Sequence, residues 1–409
     1  MAIRAGLAAG WLSRRLGLGA GVIIGGRVTL ALAPSALSRL AAGRLVVLVS
    51  GTNGKTTTSH LLAAALRTAG RVAHNASGAN MADGAVAALA ADPDAPVAVL
   101  EIDELHLAAV AAAVDPAVVV LLNLSRDQLD RGCEVRAVAA AVGGALAAHP
   151  RTVTVANADD PMVVWAATQS PRPSTVWVST RGRWNGDATS CPRCGTTLHG
   201  NGDRWRCRCG LARPAPHWEA SEAAAVTRDG LVIPVGLRLP GRFNLGNAVT
   251  AMAAAELLGV DPRRAAAAMS LLPDVAGRYA VVTYRERELR LLLAKNPAGW
   301  AEILGVLDEA RPLLVVVNAR EADGRDTSWL WDVPFDEIAG RRVVAAGEHA
   351  ADVGVRLTYA EIEHDTVADP LAGLALLPTG VVDVVANYTA FHQLRRRLTA
   401  ETAGGEPTK

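Results

Sequence analysis

Aromatic side chains are scarce in this 409-residue chain, which has three Phe, four Tyr and nine Trp. That scarcity, set against abundant Ala, Gly and Arg, demands no special fold. An excess of either charge is also missing. Lys and Arg total 41 against 40 Asp and Glu, a formal net charge of +1, which argues against a global nucleic-acid-binding field while leaving local patches open. Long apolar runs are absent too. The longest in the N-terminal stretch are broken by glycine and Arg27, short of the roughly 20 residues that span a bilayer, so no transmembrane helix is expected. Cysteine is sparse, five residues in all, and no secretory signal stands out before them, which disfavours a disulfide framework. What remains is half apolar and one-fifth charged, the balance of an ordinary soluble globular protein of two or three domains.

The most informative stretch is "LVVLVSGTNGKTTTSHLLAAAL", residues 45–66. Five apolar residues lead into Gly51, Thr52, Asn53, Gly54, Lys55, Thr56 and Thr57, and an alanine- and leucine-rich helical pattern follows. A strand, a glycine turn and a helix start place backbone N–H groups and the positive helix end around phosphate oxygens. Lys55 is expected to reach the terminal phosphates and the Thr56 hydroxyl to hold Mg²⁺. Only Thr52 and Asn53 separate the two glycines, so the general phosphate-loop pattern is matched in its Gly-Lys-Thr end alone.

Apolar strands alternate with alanine-rich helices along the chain. "PVAVLEID", "PAVVVLLNLS", "RTVTVANADD" and "STVWVST" read as short buried strands, which predicts an α/β domain with a parallel sheet. Ligands sit beyond the carboxyl ends of such strands. Glu101, Asp103 and Glu104 of "EIDE" fall at one of those ends, where they are placed to bind Mg²⁺ near the nucleotide.

Four of the five cysteines lie within "CPRCGTTLHGNGDRWRCRCG". Cys191-x-x-Cys194 and Cys207-x-Cys209 form two knuckles separated by a turn-rich segment, so four thiolates can close a tetrahedral Zn²⁺ site. The remaining Cys133 is read as a packed, inert thiol.

"GTNGKTTT", "VLEIDE", "NLSRDQLDR", "NADDP" and "GRFNLGNAVTAMAAAELLG" occur in the order and approximate spacing of the Mur ligases, which the chain resembles. Within that family, the four-cysteine insertion and a C-terminal region with "LLLAKNPAGW", "ADGRDTSWLWDVPFD" and "DVVANYTAFHQLRRRL" resemble the MurT-type synthetase subunits of lipid II isoglutaminyl synthases. The resemblance implies an N-terminal arm over 1–44 and a Mur ligase central ATP-binding domain over 45–278. A zinc ribbon would be inserted at about 185–212, and a smaller α/β C-terminal domain would cover 279–409.

The resemblance also implies site roles. Lys55 and Thr56 bind ATP phosphates and Mg²⁺, with Glu104 and Glu101 supporting the metal. Asn157, Asp159 and Asp160 lie toward the adenine and ribose. Asn244 and Asn247 match the family's paired asparagines, with Phe243 where a histidine is usual, and Gln128 stands where many amino-acid-adding members carry a metal-supporting histidine. The activity implied is ATP-dependent amidation of the α-carboxyl of D-glutamate in the lipid II stem peptide, through an acyl phosphate, giving D-isoglutamine. The ammonia would come from a GatD-like class I glutamine amidotransferase, because Cys133 has no nucleophile-elbow context. Asp323, Asp326 and Asp332 would orient that partner's catalytic histidine or close over the acyl phosphate.

Two other classes fit parts of the sequence. An amino-acid-adding ligase of muramyl or folylpolyglutamate type would need no glutaminase. A nucleic-acid-binding zinc ribbon would use Arg181, Arg183, Arg193, Arg204, Arg206 and Arg208 with Trp184 and Trp205 for stacking, and would leave the phosphate loop unexplained. The arginine-rich, acid-free arm is expected to pack on the first domain, with contact to anionic lipid as the alternative. The resulting location is cytoplasmic, with peripheral association at the inner face of the plasma membrane as a further expectation.

Overall fold

A computed structural model describes residues 1–16, 21–126, 134–171, 174–182, 189–200, 204–272 and 278–404. Gln128, Cys133, Arg183 and Trp184 lie outside the described residues. The chain divides into two compact units, one of residues 1–125 and 134–276, the other of residues 126–133 and 277–409.

The first unit is built on a nine-stranded sheet. Its strands are β1 (Leu45–Ser50), β2 (Val72–His74), β3 (Val97–Glu101), β4 (Val118–Leu121), β5 (Val153–Asn157), β6 (Ser174–Ser179), β7 (Trp218–Ser221), β8 (Ala224–Thr227) and β9 (Val232–Pro234). They run in the order β2-β3-β1-β4-β5-β6-β7-β8-β9. Pairing is parallel from β2 through β7 and antiparallel from β7 to β9. The four strands expected from the apolar runs are β3 to β6. The antiparallel extension was not anticipated, because its strands are three or four residues long and carry few bulky apolar residues.

Helices cover both faces of β1. Val47 and Val49 pack with Leu61 and Leu62 of α4 (Lys55–Arg67) and with the alanines of α9 (Arg242–Leu257). Val46 and Leu48 point the other way, toward Val86 and Leu89 of α5 (Ala82–Ala91) and Val110 of α6 (Leu107–Val114). This two-faced burial is why β1 reads as an unbroken apolar run rather than an alternating one. Twelve residues of α9 are buried, and its small side chains let the backbone come close to α4 and the sheet.

Ahead of β1, the arm forms α1 (Ala2–Arg15), α2 (Val22–Leu32) and α3 (Ala36–Ala41). α1 and α2 cross at glycine: a Cβ on Gly6 would lie 2.5 Å from the Gly25 carbonyl oxygen, and one on Gly26 would lie 2.0 Å from the Asp83 oxygen of α5. Between α6 and α9 the unit also carries α7 (Val135–Ala148) and α8 (Pro161–Ala167), and α10 (Pro262–Ser270) follows α9.

The second unit holds a six-stranded sheet of β10 (Tyr279–Tyr284), β11 (Arg287–Leu293), β12 (Leu313–Val316), β13 (Val343–Ala346), β14 (His364–Thr366) and β15 (Gly380–Ala386). Its order is β10-β11-β15-β12-β13-β14. Only the β10–β11 hairpin is antiparallel. Helices α11 (Pro297–Leu304), α12 (Ala350–Tyr359), α13 (Pro370–Ala375) and α14 (Tyr388–Gly404) complete it.

Candidate active site

β1 ends at Ser50, and the loop to α4 turns on two glycines with positive φ, Gly51 at 137° and Gly54 at 86°. Both are also sites of close approach. A Cβ on Gly51 would lie 2.9 Å from the Asn123 carbonyl oxygen, and one on Gly54 would lie 2.6 Å from Asn247 Oδ1. Asn247 of α9 is thus seated against the loop, with its Nδ2 3.4 Å from Asn244 Oδ1; Asn244 in turn donates to the Pro240 carbonyl. No side chain caps α4, so its first-turn N–H groups and positive dipole end face the loop.

Lys55 is buried, and its ammonium contacts the Gly51 carbonyl and Glu104 Oε2, the latter at 3.0 Å. Glu104 Oε1 lies 3.3 Å from Thr52 Oγ1, which itself accepts from the Ser125 N–H. A lysine, a carboxylate and two hydroxyl-bearing residues therefore form one polar cluster at the carboxyl ends of β1, β3 and β4, as open α/β sheets place their ligands.

Thr56 and Glu101 complete the cradle. A Cβ on Gly78 would lie 3.8 Å from Thr56 Oγ1 and 4.0 Å from Glu101 Oε2, so both oxygens border the same spot. Among the described residues, Glu101 Oε2 is buried with no hydrogen-bond partner. Ser50 Oγ and Ser125 Oγ are likewise buried without one among those residues. An orphaned carboxylate oxygen beside a threonine hydroxyl suits a hard, oxygen-seeking cation, so the residues fit Mg²⁺.

Two positioning residues escaped the sequence reading. Asn123 clamps the loop with both ends of its amide, accepting from the Asn53 N–H at 2.9 Å and donating to the Asn53 carbonyl at 3.0 Å. Asn75 does the same to Glu101, accepting from its N–H and donating to its carbonyl, both at 2.8 Å. Asn75 directly follows β2 and Asn123 stands two residues beyond the end of β4, and that placement at a strand end was the available signal.

Asn157 ends β5, Asp159 and Asp160 follow it, and all three are engaged internally. Asp160 caps α8 by accepting from Met162 and Val163, and it also accepts from the Leu124 N–H. Asp159 accepts from the Thr180 and Arg181 N–H groups and pairs with Arg213 at 2.8 Å. Asn157 accepts from the Asp159 N–H. These bonds shape the loops at the ends of β5 and β6.

The sulfurs of Cys191, Cys194, Cys207 and Cys209 lie within 4.8 Å of one another. Cys191 and Cys209 are 3.6 Å apart and Cys194 and Cys207 3.4 Å apart, too far for disulfides and close to the roughly 3.8 Å tetrahedron edge that Zn–S bonds of about 2.3 Å imply. Burial pushes the Cys191 thiol up to about 12, whereas the backbone N–H of Cys209 lowers Cys207 to about 6. Trp205 packs with Val164 and Leu211 in a small core beneath the cysteines. It is 4% exposed, so it is not available to stack on bases and packs against Val164 of α8 instead.

In the second unit the three aspartates separate by environment. Asp323 is buried, accepting from the Thr389 N–H at 2.8 Å, from the Thr389 hydroxyl, and from the Arg320 N–H at 3.2 Å. Asn387 and Asn318 brace the same region: Asn387 Oδ1 accepts from the Asn318 N–H, and Asn318 Oδ1 accepts from the Glu348 N–H. Asp326 is exposed, and hydrogen bonds from Ser328 lower its pKa. Asp332 is exposed and 3.1 Å from Arg126. The tryptophans divide likewise: Trp329 enters the core, and Trp331 faces outward against Tyr359 and Arg356.

A glycine-turned loop opening a helix beside a parallel sheet, with a buried lysine and a cation-ready carboxylate, defines an α/β nucleotide-binding protein of the phosphate-loop class. Residues 49–255 match the Mur ligase middle domain and residues 293–391 match the MurT ligase C-terminal family. The chain belongs to the Mur ligase family. It is 28% identical over 390 residues to the MurT subunit of lipid II isoglutaminyl synthase (glutamine-hydrolyzing) from Staphylococcus aureus, covering 88% of this chain and 89% of that protein. The Streptococcus pneumoniae MurT subunit is 29% identical over 417 residues, covering 94% and 93%.

Solved structures share the fold. A pseudomurein peptide ligase type C from Methanothermus fervidus superposes with a TM-score of 0.69 at 20% identity, over 88% of this chain and 79% of that one. Folylpolyglutamate synthase from Mycobacterium tuberculosis gives 0.62 at 17% identity, over 90% and 93%. Among the described residues, no helix is long and apolar enough to cross a membrane.

Proposed function

We propose that this chain is the synthetase subunit of a lipid II amidating enzyme. It activates the α-carboxyl of D-glutamate in the stem peptide with ATP and delivers it to ammonia, giving D-isoglutamine. The observation that carries this reading is the joint match of one chain to the Mur ligase middle domain and the MurT ligase C-terminal family. Amino-acid-adding relatives such as UDP-N-acetylmuramate–L-alanine ligase of Paenarthrobacter aurescens cover only 60% of the chain.

The chemistry follows from the cradle. The substrate carboxylate attacks the γ-phosphorus, the bond to the bridging oxygen breaks, and ADP leaves with that electron pair. Ammonia then adds to the acyl carbon, and inorganic phosphate and a proton depart. Lys55, held by Gly51 and Glu104, offers fixed positive charge where phosphoryl oxygens gain negative charge. Thr56, Glu101 and Glu104 would hold Mg²⁺, which supplies Lewis-acid stabilisation of those oxygens. Asn123 and Asn75 keep the loop and Glu101 in place, so no reorganisation is needed as charge develops. Asn247 fixes Gly54 from the α9 side, and Asn157, Asp159 and Asp160 border the region assigned to adenine and ribose.

Four of the five cysteines lie in the ribbon cluster, which we read as a structural Zn²⁺ site. Glutamine hydrolysis is therefore assigned to a GatD-like class I glutaminase partner. The exposed Asp326 and Asp332 are better placed than the buried Asp323 to serve that partner, and Asp323 holds its own loop. The substrate's lipid tail puts the reaction at a membrane surface, the inner face of the plasma membrane. With purified lipid II and ATP, the chain alone should form D-isoglutamine from concentrated ammonium and not from glutamine; adding the glutaminase should make glutamine sufficient. Release of glutamate from glutamine by the isolated chain at the rate of the complex would overturn the division.

A further inference from the structure

Helix α1 is amphipathic in the reverse of the usual sense. Its inward face is small: Gly6 and Gly10 meet Gly21, Gly25 and Thr29 at backbone distance. Its outward face is large. Ile3, Leu7 and Trp11 recur every four residues and are all exposed, Trp11 by 51%, and Leu12 and Leu16 are exposed as well. α2 leaves Ile23, Ile24 and Leu32 exposed. In a chain with nine Trp and three Phe, bulky apolar side chains on the outermost helix, with glycine turned to the protein, form a surface that is covered when the protein works.

Charge identifies the cover. No Asp or Glu occurs before Asp83, whereas Arg4, Arg14, Arg15 and Arg27 lie on these two helices. Arg15 holds its guanidinium 5.2 Å from the Trp11 ring centre, so cation and indole sit together. A second copy of this face would bring arginines against arginines. A surface that pairs apolar insertion with anionic headgroups removes both mismatches. At 14 residues, α1 is too short to span a bilayer, and an interfacial helix needs no such length.

We propose that the α1–α2 pair docks on an anionic lipid bilayer, with Ile3, Leu7 and Trp11 entering the headgroup–acyl boundary and Arg4 and Arg15 meeting lipid phosphates. The interaction is independent of ATP, of lipid II and of the amidation reading, so its failure would leave that reading intact.

The test is flotation of the full chain with vesicles of equal parts phosphatidylglycerol and phosphatidylcholine, and with phosphatidylcholine alone. Expected are binding to the mixed vesicles, roughly tenfold weaker binding to the neutral ones, and loss of the difference in high salt. The triple variant Ile3→Ser, Leu7→Ser, Trp11→Ser should bind the mixed vesicles at least about tenfold more weakly with an unchanged unfolding midpoint, since these side chains are on the surface. If the triple variant unfolds, Arg4→Gln with Arg15→Gln gives the same reading through charge alone. Absence of vesicle binding by the natural chain, or undiminished binding by the folded variants, overturns the proposal. A natural chain that forms a dimer in sedimentation, dissolved by the triple variant, with no lipid affinity, makes the face a contact between copies and also overturns it.

Discussion

Lys55 Nζ lies 3.0 Å from Glu104 Oε2, and the two side chains are 7% and 10% exposed. An ion pair this buried is held by its neighbours rather than by its own attraction, since each charge lost much hydration on entering. Lys55→Ala should abolish ATP-dependent amidation, removing on the order of several kcal/mol of transition-state stabilisation. Glu104→Gln leaves the ammonium without its counter-charge and should lower thermal stability, as breaking a buried pair does by about 3–5 kcal/mol. Lys55→Ala breaks the same pair, so melting curves should show both variants destabilised, and near-normal turnover of the Lys55 variant would sink the phosphate-loop assignment.

The cysteine cluster should contain one zinc ion per chain, each sulfur about 2.3 Å away by X-ray absorption. Cys191→Ser should loosen the ribbon, read as faster amide exchange over 189–200 and 204–212, before it affects ammonium-dependent amidation. Metal-free protein with disulfides in mass spectra would contradict this.

The three aspartates should behave unequally. Asp323→Asn replaces one of the two oxygens that accept from Thr389 and the Arg320 N–H with an NH₂ donor. It should reduce amidation with ammonium and glutamine alike and cost about 1–3 kcal/mol of stability, because buried donors are left unsatisfied. Asp326→Asn and Asp332→Asn touch exposed side chains and should leave stability nearly unchanged. At least one should depress glutamine-dependent turnover well below ammonium-dependent turnover. Equal losses from both nitrogen sources in both variants would place these residues in the synthetase step.

Burial, reinforced by the nearby charges of His60 and Arg67, lowers the pKa of His74 to about 3. The folded protein therefore keeps this imidazole neutral where the unfolded chain takes up a proton, and stability falls as the pH drops from about 6.5 toward 3. At pH 5 the loss from this group is about 2 kcal/mol. Chemical denaturation at pH 7 and pH 5 should show that loss in the natural chain and a smaller one in His74→Gln; identical slopes would refute it.

The sequence by itself determined the parallel sheet, the phosphate loop and the cysteine cluster. Strands buried on both faces are continuous apolar runs, and "GTNGKTTT" is a local device whose glycines, lysine and threonine are contiguous. Cysteines separated by two residues and by one likewise bring their own sulfurs near each other. The tertiary structure decided what distant segments do for one another. It set Asn123 on the Asn53 amide and Asn75 on the Glu101 amide, lone asparagines whose place near a strand end suits an ordinary turn residue equally well. It buried Trp205 and Asp323 and left Trp331, Asp326 and Asp332 outside, because burial depends on which elements pack over a residue. It also turned the glycines of α1 inward and its large side chains outward: periodicity shows that a helix has two faces, and only the packing shows which one the protein keeps.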